Sequence, residues 1–342
     1  MLVAKTNVPE FGAGANTRSR HIPGFQAIDG VEVVAVCNRS RASGQNAADE
    51  FGIPTVYDDW KELVHADGVD AVCVGTWPYL HCAITLESLT AGKHILTEAR
   101  MAMDLEEARS MLTASQASDR VAMVVPAPFY LESEPTLREM VADGDFGDWL
   151  EIHVSALSGE WSPEEPIHWR QRRELSGDNI MSMGILNETA RRYAGHDRAV
   201  TAYGQTFVGE RPDAQGGTAT VDVPDSLGIV SQLESGATAV YHVSSVASHG
   251  RGGGIEMHGT KGAFRLEDGK AYVALGDADF SELEVAAEKR WGWAVEADFV
   301  DSIRDGRTVT HTNFEDGVKY MAFTDAVQRS LREGRKVDLQ TT

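Results

Sequence analysis

The chain has 342 residues, enough for two domains, and 42% of them are hydrophobic, an ordinary share for globular cores. Its 52 acidic residues outnumber 31 basic ones, giving a formal charge of −21 that argues against nucleic acid or an anionic membrane as a partner. No apolar run reaches the ~18 residues of a membrane span, and the N-terminus lacks a basic stretch followed by an apolar one. The three cysteines, Cys37, Cys73 and Cys82, lack metal spacing and read as reduced thiols of a cytoplasmic protein.

In chain order, residues 1–30 should hold a first strand and a phosphate-binding turn. Gly12 and Gly14 stand in G-x-G spacing ahead of Asn16 and Thr17. A helix follows over about Thr17–Ile28, interrupted near Pro23. Glycines at such a turn let backbone N–H groups approach a pyrophosphate at the helix N-terminus. The stretch before the turn reads as a poor strand, because Pro9 lies inside it. Val31–Cys37, rich in β-branched residues, is a clear second strand. In dinucleotide-binding folds the end of this strand meets the adenosine ribose, usually through Asp or Glu. Here Asn38, Arg39, Ser40 and Arg41 include no acid. Two guanidiniums and a hydroxyl suit a 2′-phosphate, so NADP is favoured over NAD. The alternative is that Asn38 serves the ribose of NAD and both arginines are solvated.

A helix over Ala42–Phe51 comes next. The strand Asp70–Gly75, the polar turn Thr76-Trp77-Pro78, the helix Leu80–Thr90 and the strand His94–Thr97 ending on Glu98 form one parallel βαβ unit. Gly75, Thr76, Trp77 and Glu98 then fall at the carboxyl edge of the sheet, where open α/β sheets bind ligands. A helix over Leu105–Ala117 and a sixth strand, Val121–Val125, complete a Rossmann domain over residues 1–126. After a linking helix, Leu131–Ala142, the pattern changes. Alternating strands appear at Leu150–Leu157, Val200–Val208, Thr218–Val223, Ser226–Leu233, Ala237–Ser245 and Gly254–Leu266, the last broken by a turn at 259–262. With helical patterns at Asn187–Tyr193, Val295–Arg304 and Phe314–Arg332, they predict a second α/β domain over 127–342, built on a large, mostly antiparallel open sheet.

Two stretches carry a specific resemblance. Gly75-Thr-Trp-Pro-Tyr-Leu-His81 and Ala91-Gly-Lys-His-Ile-Leu-Thr-Glu98 resemble the paired signature of the glucose–fructose oxidoreductase/inositol dehydrogenase/rhizopine catabolism (Gfo/Idh/MocA) family, A-T-P-P-x-x-H and A-G-K-H-V-x-x-E-K-P. Arg20-His-Ile-Pro-Gly-Phe25 and the C-terminal helix over 314–339 resemble the family as well. The resemblance implies a Rossmann domain, an NAD(P)-dependent oxidoreductase acting on a sugar- or polyol-like small molecule, and a homodimer or homotetramer. It places His81 in the cofactor turn and Glu98 at the nicotinamide ribose.

The expected catalytic groups are substituted. The family's E-K-P reads Glu98-Ala99-Arg100, so the lysine position holds Ala99. The family motif G-G-x-x-x-D-x-G-x-H aligns on Gly184, which puts Ser182 at the Asp position and Leu186 at the His position. The Asn and Arg that often follow the sixth strand are replaced by Pro126-Ala-Pro-Phe129. The candidates left are Arg100, Arg170 and Arg172 to hold an anionic or polyhydroxy substrate, with His168 or Glu188 as proton carrier. Arginine is too basic to carry the proton itself. Two other readings stay open: a sensor that binds the dinucleotide without turnover, and non-redox chemistry through a tightly held cofactor. His153, His242, His249 and His258 lack metal spacing, so no metal site is expected.

Overall fold

The computed structural model describes residues 6–11, 14–129, 131–159, 162–214, 216–250 and 252–339. The chain forms two compact units, Met1–Pro126 with Ala294–Val318, and Ala127–Trp293 with Lys319–Thr342.

The first unit is a six-stranded sheet: β1 (Thr6–Phe11), β2 (Val31–Cys37), β3 (Thr55–Tyr57), β4 (Ala71–Val74), β5 (His94–Thr97) and β6 (Ala122–Val124). All pairs are parallel, in the order β3-β2-β1-β4-β5-β6. That is the doubly wound order of dinucleotide-binding folds. A parallel sheet of this kind is covered on both faces, so its strands carry unbroken apolar runs. Accordingly β4, Ala-Val-Cys-Val, is buried at every position. The connecting helices are α1 (Ile22–Gln26), α2 (Arg41–Phe51), α3 (Trp60–Val64), α4 (His81–Thr90) and α5 (Leu105–Gln116). Ser40 caps α2, its hydroxyl accepting from the Ser43 N–H at 3.3 Å, and Gly52 ends the helix at φ +69°, where a side chain would be strained.

The stretch that reads as a poor strand is central to this sheet. Its pairing with β2 shifts register between Val8 and Glu10, so Pro9 sits in a bulge. β4 pairs with β1 only at Glu10 and Phe11, beyond the proline. A residue without an N–H is tolerated in a central strand when the ladder skips it.

The second unit begins with helix α6 (Glu134–Ala142) and includes α7 (Arg173–Ser176) and α8 (Met183–Ala194). Its strands are β7 (Trp149–Leu157), β8 (Asp197–Gln205), β9 (Glu210–Pro212), β10 (Thr218–Thr220), β11 (Ser226–Leu233), β12 (Thr238–Ser244), β13 (Gly252–Gly259), β14 (Gly262–Glu267), β15 (Lys270–Leu275), β16 (Ser281–Glu282) and β17 (Val337–Asp338). Nine form one sheet, ordered β16-β15-β14-β13-β7-β12-β11-β8-β17, and β9 pairs with β10 apart from it. Only β7 and β12 run parallel; the other neighbours are antiparallel. One face is apolar and packed. Val154, Ile229, Tyr241 and Met257 join Leu186 of α8 in a single core. Phe264 anchors one end, with the rings of Tyr193, Phe146 and Trp149 at 5.1, 5.4 and 5.5 Å. The opposite face is open and shows Tyr203, Val230 and Val240 to solvent.

The second half of the chain does not all belong to the second unit. Helix α9 (Val295–Asp305) and the segment to Val318 return to the first. Val295, Phe299 and Val300 are buried, and Phe299 meets Phe25 edge-on at 6.3 Å. The Thr312 carbonyl accepts from the Val124 N–H at 2.9 Å, so this return also covers the β6 edge. A division at 126/127 with everything beyond it in one body therefore fails at 294–318, because these apolar residues complete the first core. The last helix, α10 (Phe314–Glu333), ends in the second core with Phe323, Ala326 and Val327.

Phe299→Ala should destabilise the folded protein by roughly 3–5 kcal/mol, the usual cost of emptying a buried aromatic site. Leu150→Ala, at a residue 53% exposed, should stay within about 0.5 kcal/mol. Urea unfolding midpoints of the two variants check this.

Candidate functional site

A cavity of about 610 Å³ opens at the carboxyl ends of β1, β2 and β4. Gly14, Asn38, Arg39, Ser43, Gly75 and Trp77 are among its lining residues, and Thr76 lies beside them. The doubly wound order puts a dinucleotide along this edge. The Arg39 guanidinium lies over the Trp77 ring at 5.2 Å, which brings the ends of β2 and β4 together as one wall. Gly12 lies outside the described residues.

The four residues read as a 2′-phosphate set separate. Asn38 and Arg39 line the cavity. Arg41 pairs instead with Asp58 at 2.7 Å on an exposed surface. Ser40 is engaged as the α2 cap, and Ser43, one turn on, lines the cavity. Asp58 and Asp59 line the cavity as well. Burial, then the charges of Asp59 and Asp58, push the Cys37 thiol up to about 11. That thiol is neutral and is no nucleophile.

At the end of β5, Glu98 is held from several sides. Asn16 donates to its Oε1, the His21 Nε2 lies 3.0 Å from the same oxygen, and the Ala99 N–H donates to Oε2 at 3.1 Å. Burial alone would raise the Glu98 carboxyl, but the bonds and charge of His21, with Asn16 and His81, hold it below its ordinary range. Asn16 thus reaches this carboxylate, and Thr17 beside it is buried. His81 is fully buried. Its ring nitrogens face the carbonyls of Thr76 at 2.9 Å and Arg100 at 3.0 Å. Burial holds its pKa below the ordinary value, against the pull of those carbonyls and Glu98. His81 therefore ties the Thr76 turn to the segment after Glu98, rather than lining the groove. His21 was not a sequence candidate. Its signal was the His-x-Pro-x-Phe pattern of residues 21–25.

Arg100 belongs to the first unit and is buried. His168, Arg170 and Glu188 belong to the second. His168 opens a single helical turn over Trp169–Gln171, its Nδ1 accepting from the Arg170 N–H at 3.2 Å. Burial first, and the Arg170 charge second, push its pKa down to about 4. Its other nitrogen, Nε2, then carries the ring hydrogen. Arg170 stacks on Trp169 at 4.3 Å, and Arg172 pairs with Asp213 at 2.6 Å. Glu188 is buried and committed to structure: it accepts from Arg192 at 2.9 Å and from the Ala127 N–H at 3.2 Å. Glu134 takes the other side of Arg192 at 2.9 Å. Burial opposes the Arg192 charge, but these two carboxylates raise its pKa above the ordinary value. Asn187 is likewise tied, donating to Asp197 at 2.7 Å. Among the described residues no group of three His, Cys, Asp or Glu could hold a metal, and no helix is long and apolar enough to cross a membrane.

Comparison with known proteins bears on the family and the fold. Residues 10–125 match the oxidoreductase family with the NAD-binding Rossmann fold, and residues 135–265 match the GFO/IDH/MocA C-terminal domain. The chain belongs to the Gfo/Idh/MocA family. The first model describes oxidoreductases, and this chain carries the NAD-binding Rossmann unit it matches. Levoglucosan dehydrogenase of Pseudarthrobacter phenanthrenivorans is 26% identical over 90% of this chain and 89% of its own. The 1,5-anhydro-D-fructose reductase of Ensifer adhaerens is 26% identical over 96% and 97%. In fold, a levoglucosan dehydrogenase complex with NADH and levoglucosan matches with a TM-score of 0.89 at 23% identity, over 98% of this chain and all of that one.

Two histidines, the buried His81 and the half-buried His168, weaken the folded state toward acid. Their folded pKa values lie below the ordinary 6.5, so the unfolded chain takes up protons the folded one refuses. Their contribution to stability is full above 6.5 and falls as pH drops, for His168 until about 4. Glu98 adds loss below its ordinary 4.5, as pH falls toward its lowered value. His168→Asn, which keeps a capping acceptor, should flatten the decline of Tm between 6.5 and about 4.

Proposed function

We propose that the protein is an NADP-dependent oxidoreductase acting on a cyclic sugar or polyol. One observation carries the reading: the groove at the carboxyl edge of the doubly wound sheet, with Gly14 at one wall and the Arg39–Trp77 pair at another. A glycine there admits a pyrophosphate, and the residues present fit a dinucleotide. Trp77 and Arg39 would flank the adenosine, with Arg39, Asn38 and Ser43 nearest the ribose 2′ position. When bound, the nicotinamide supplies the hydride acceptor or donor. NADH complexes of levoglucosan dehydrogenase show the related fold with the unphosphorylated dinucleotide, so the choice of NADP rests on Arg39 and the absence of an acid at 38–41.

The sugar assignment is supported by relatives that act on levoglucosan and 1,5-anhydro-D-fructose. Arg170, two residues from His168 in the second unit, is proposed to hold the substrate's oxygens. His168 is proposed as a neutral imidazole whose Nε2–H donates to the reacting oxygen, the role left to a ring whose Nδ1 is occupied. Glu188, sealed against Arg192, is not given a proton-carrying role. Three free thiols suit a reducing cytoplasm. The open sheet face with Tyr203, Val230 and Val240 suits self-association into a dimer or tetramer, which light scattering reads.

Titration with NADPH and NADH, followed by thermal shift, tests the reading through the stabilisation a bound ligand gives. NADPH should bind the more tightly, and a panel of anhydro-sugars and polyols should then give turnover. Arg39→Ala should cost NADPH about 10–100-fold in affinity, the worth of a charge-assisted phosphate contact, and NADH far less. Binding of neither dinucleotide would sink the proposal.

A further inference from the structure

Glu98, His21 and Glu296 form a buried carboxylate–imidazole–carboxylate chain within the first unit. The His21 ring is fully buried. Its Nε2 lies 3.0 Å from Glu98 Oε1, and its Nδ1 lies 2.5 Å from Glu296 Oε1. The Asn16 amide also faces Nε2, at 3.4 Å; where both carboxyls are ionised, a ring that bonds both donates from both nitrogens, which makes it an imidazolium. An imidazolium between two carboxylates leaves the cluster one unit negative, with that charge shared across 275 residues of sequence. The two ends differ. The Glu296 side chain is 4% exposed, while that of Glu98 is 16% exposed and stands at the carboxyl edge of β5.

The packing around Glu296 is specific. Gly24 lies in α1, and a Cβ built on it would stand 2.8 Å from the Glu296 Cγ, Cδ and Oε2. No side chain at position 24 leaves that carboxylate where it is. A glycine in a helix costs about 0.5–1 kcal/mol relative to alanine, so its presence here needs a reason, and the Glu296 carboxylate supplies one.

We propose that Glu296 is a positioning residue that acts through His21 to keep Glu98 ionised and aimed at the bound dinucleotide. This rests on the reading above that a nicotinamide dinucleotide occupies the groove. The carboxyl of Glu98 already lies below its ordinary range despite burial, with the His21 bond and charge as the largest opposing causes. Other groups face the cluster. Asn16 is a neutral donor to Glu98, His81 faces Glu98 from α4, and Asp298 lies on α9 within electrostatic reach of Glu296. Among the contacts described, the His21–Glu296 pair links Glu98 to a second carboxylate. Removing the Glu296 charge takes from His21 one of the two carboxylates that favour its charged form, which weakens its hold on Glu98, and Glu98 then protonates at higher pH.

The test is dinucleotide affinity from about pH 5 to 8, the window in which imidazole titrates, in wild type and three variants. Glu296→Gln should weaken binding about tenfold at neutral pH, the scale of one charge-assisted bond, with a loss that grows toward acid. Gly24→Ala should act in the same direction, although it removes no titratable group and by itself favours the helix. Glu296→Asp, which keeps the charge, should keep the wild-type pH profile. Wild-type affinity and profile in folded Glu296→Gln would overturn the inference. If the wild type binds no dinucleotide, the functional reading falls, and the His21 ring titration followed by NMR decides this one. A move to lower pH in Glu296→Gln supports the chain, and an unmoved titration overturns it.

Discussion

A parallel sheet exposes two apolar faces, and neither can be left to water. That constraint shapes the first unit more than any single contact. Strand β4 is buried at all four positions, which requires helices on both sides. The segment 1–126 supplies most of them but not all. The remainder comes from 294–318, through Val295, Phe299 and Val300, and through the backbone bond to Val124. Phe25 and Phe299 are the join.

Once α9 is recruited for its apolar face, its polar residues come with it. Glu296 is four positions short of Val300 and three short of Phe299, on the turn that reaches α1. A carboxylate there must find a partner or lose its charge. His21 supplies it, and Gly24 leaves the room. The second unit solves the same problem differently. Glu134 and Glu188 clasp Arg192 and the chain at Ala127, and the group is closed off. One buried charge cluster ends at a strand terminus next to a groove; the other holds helices α6 and α8 together. Burial and pairing are alike in both, and only position separates a cluster with chemical prospects from a structural one.

Much of this was legible in the chain. The βαβ unit from Ala71 to Thr97 and the strand Val31–Cys37 are strongly periodic and end on small or polar residues, so their edges declare the groove. The alternation of β11 and β12 likewise declares a half-covered sheet. Three features resisted. Pro9 disguised a central strand, because the bulge that accommodates it is a property of the pairing rather than of the residue. Arg41 and Ser40 looked like phosphate ligands, but Asp58 and the α2 cap claim them through contacts that spacing does not encode. His21 looked like part of a helix, since its partners Glu98 and Glu296 lie 77 and 275 residues away. Short strands such as β15 to β17 depend on their neighbours and carry little pattern of their own.

The return of α9 has a consequence for how the protein is made. A chain leaving the ribosome has all six strands of the first sheet exposed by about residue 126, yet the residues that seal the sheet emerge only with 294–318. Between those points the nascent sheet has an open apolar flank, while the second unit's strands are being added behind it. Domains usually fold as units in order of synthesis. Here the first to appear is the last to close, so its folding waits on long-range contacts, and the interval is when the young chain is most open to aggregation and to chaperones.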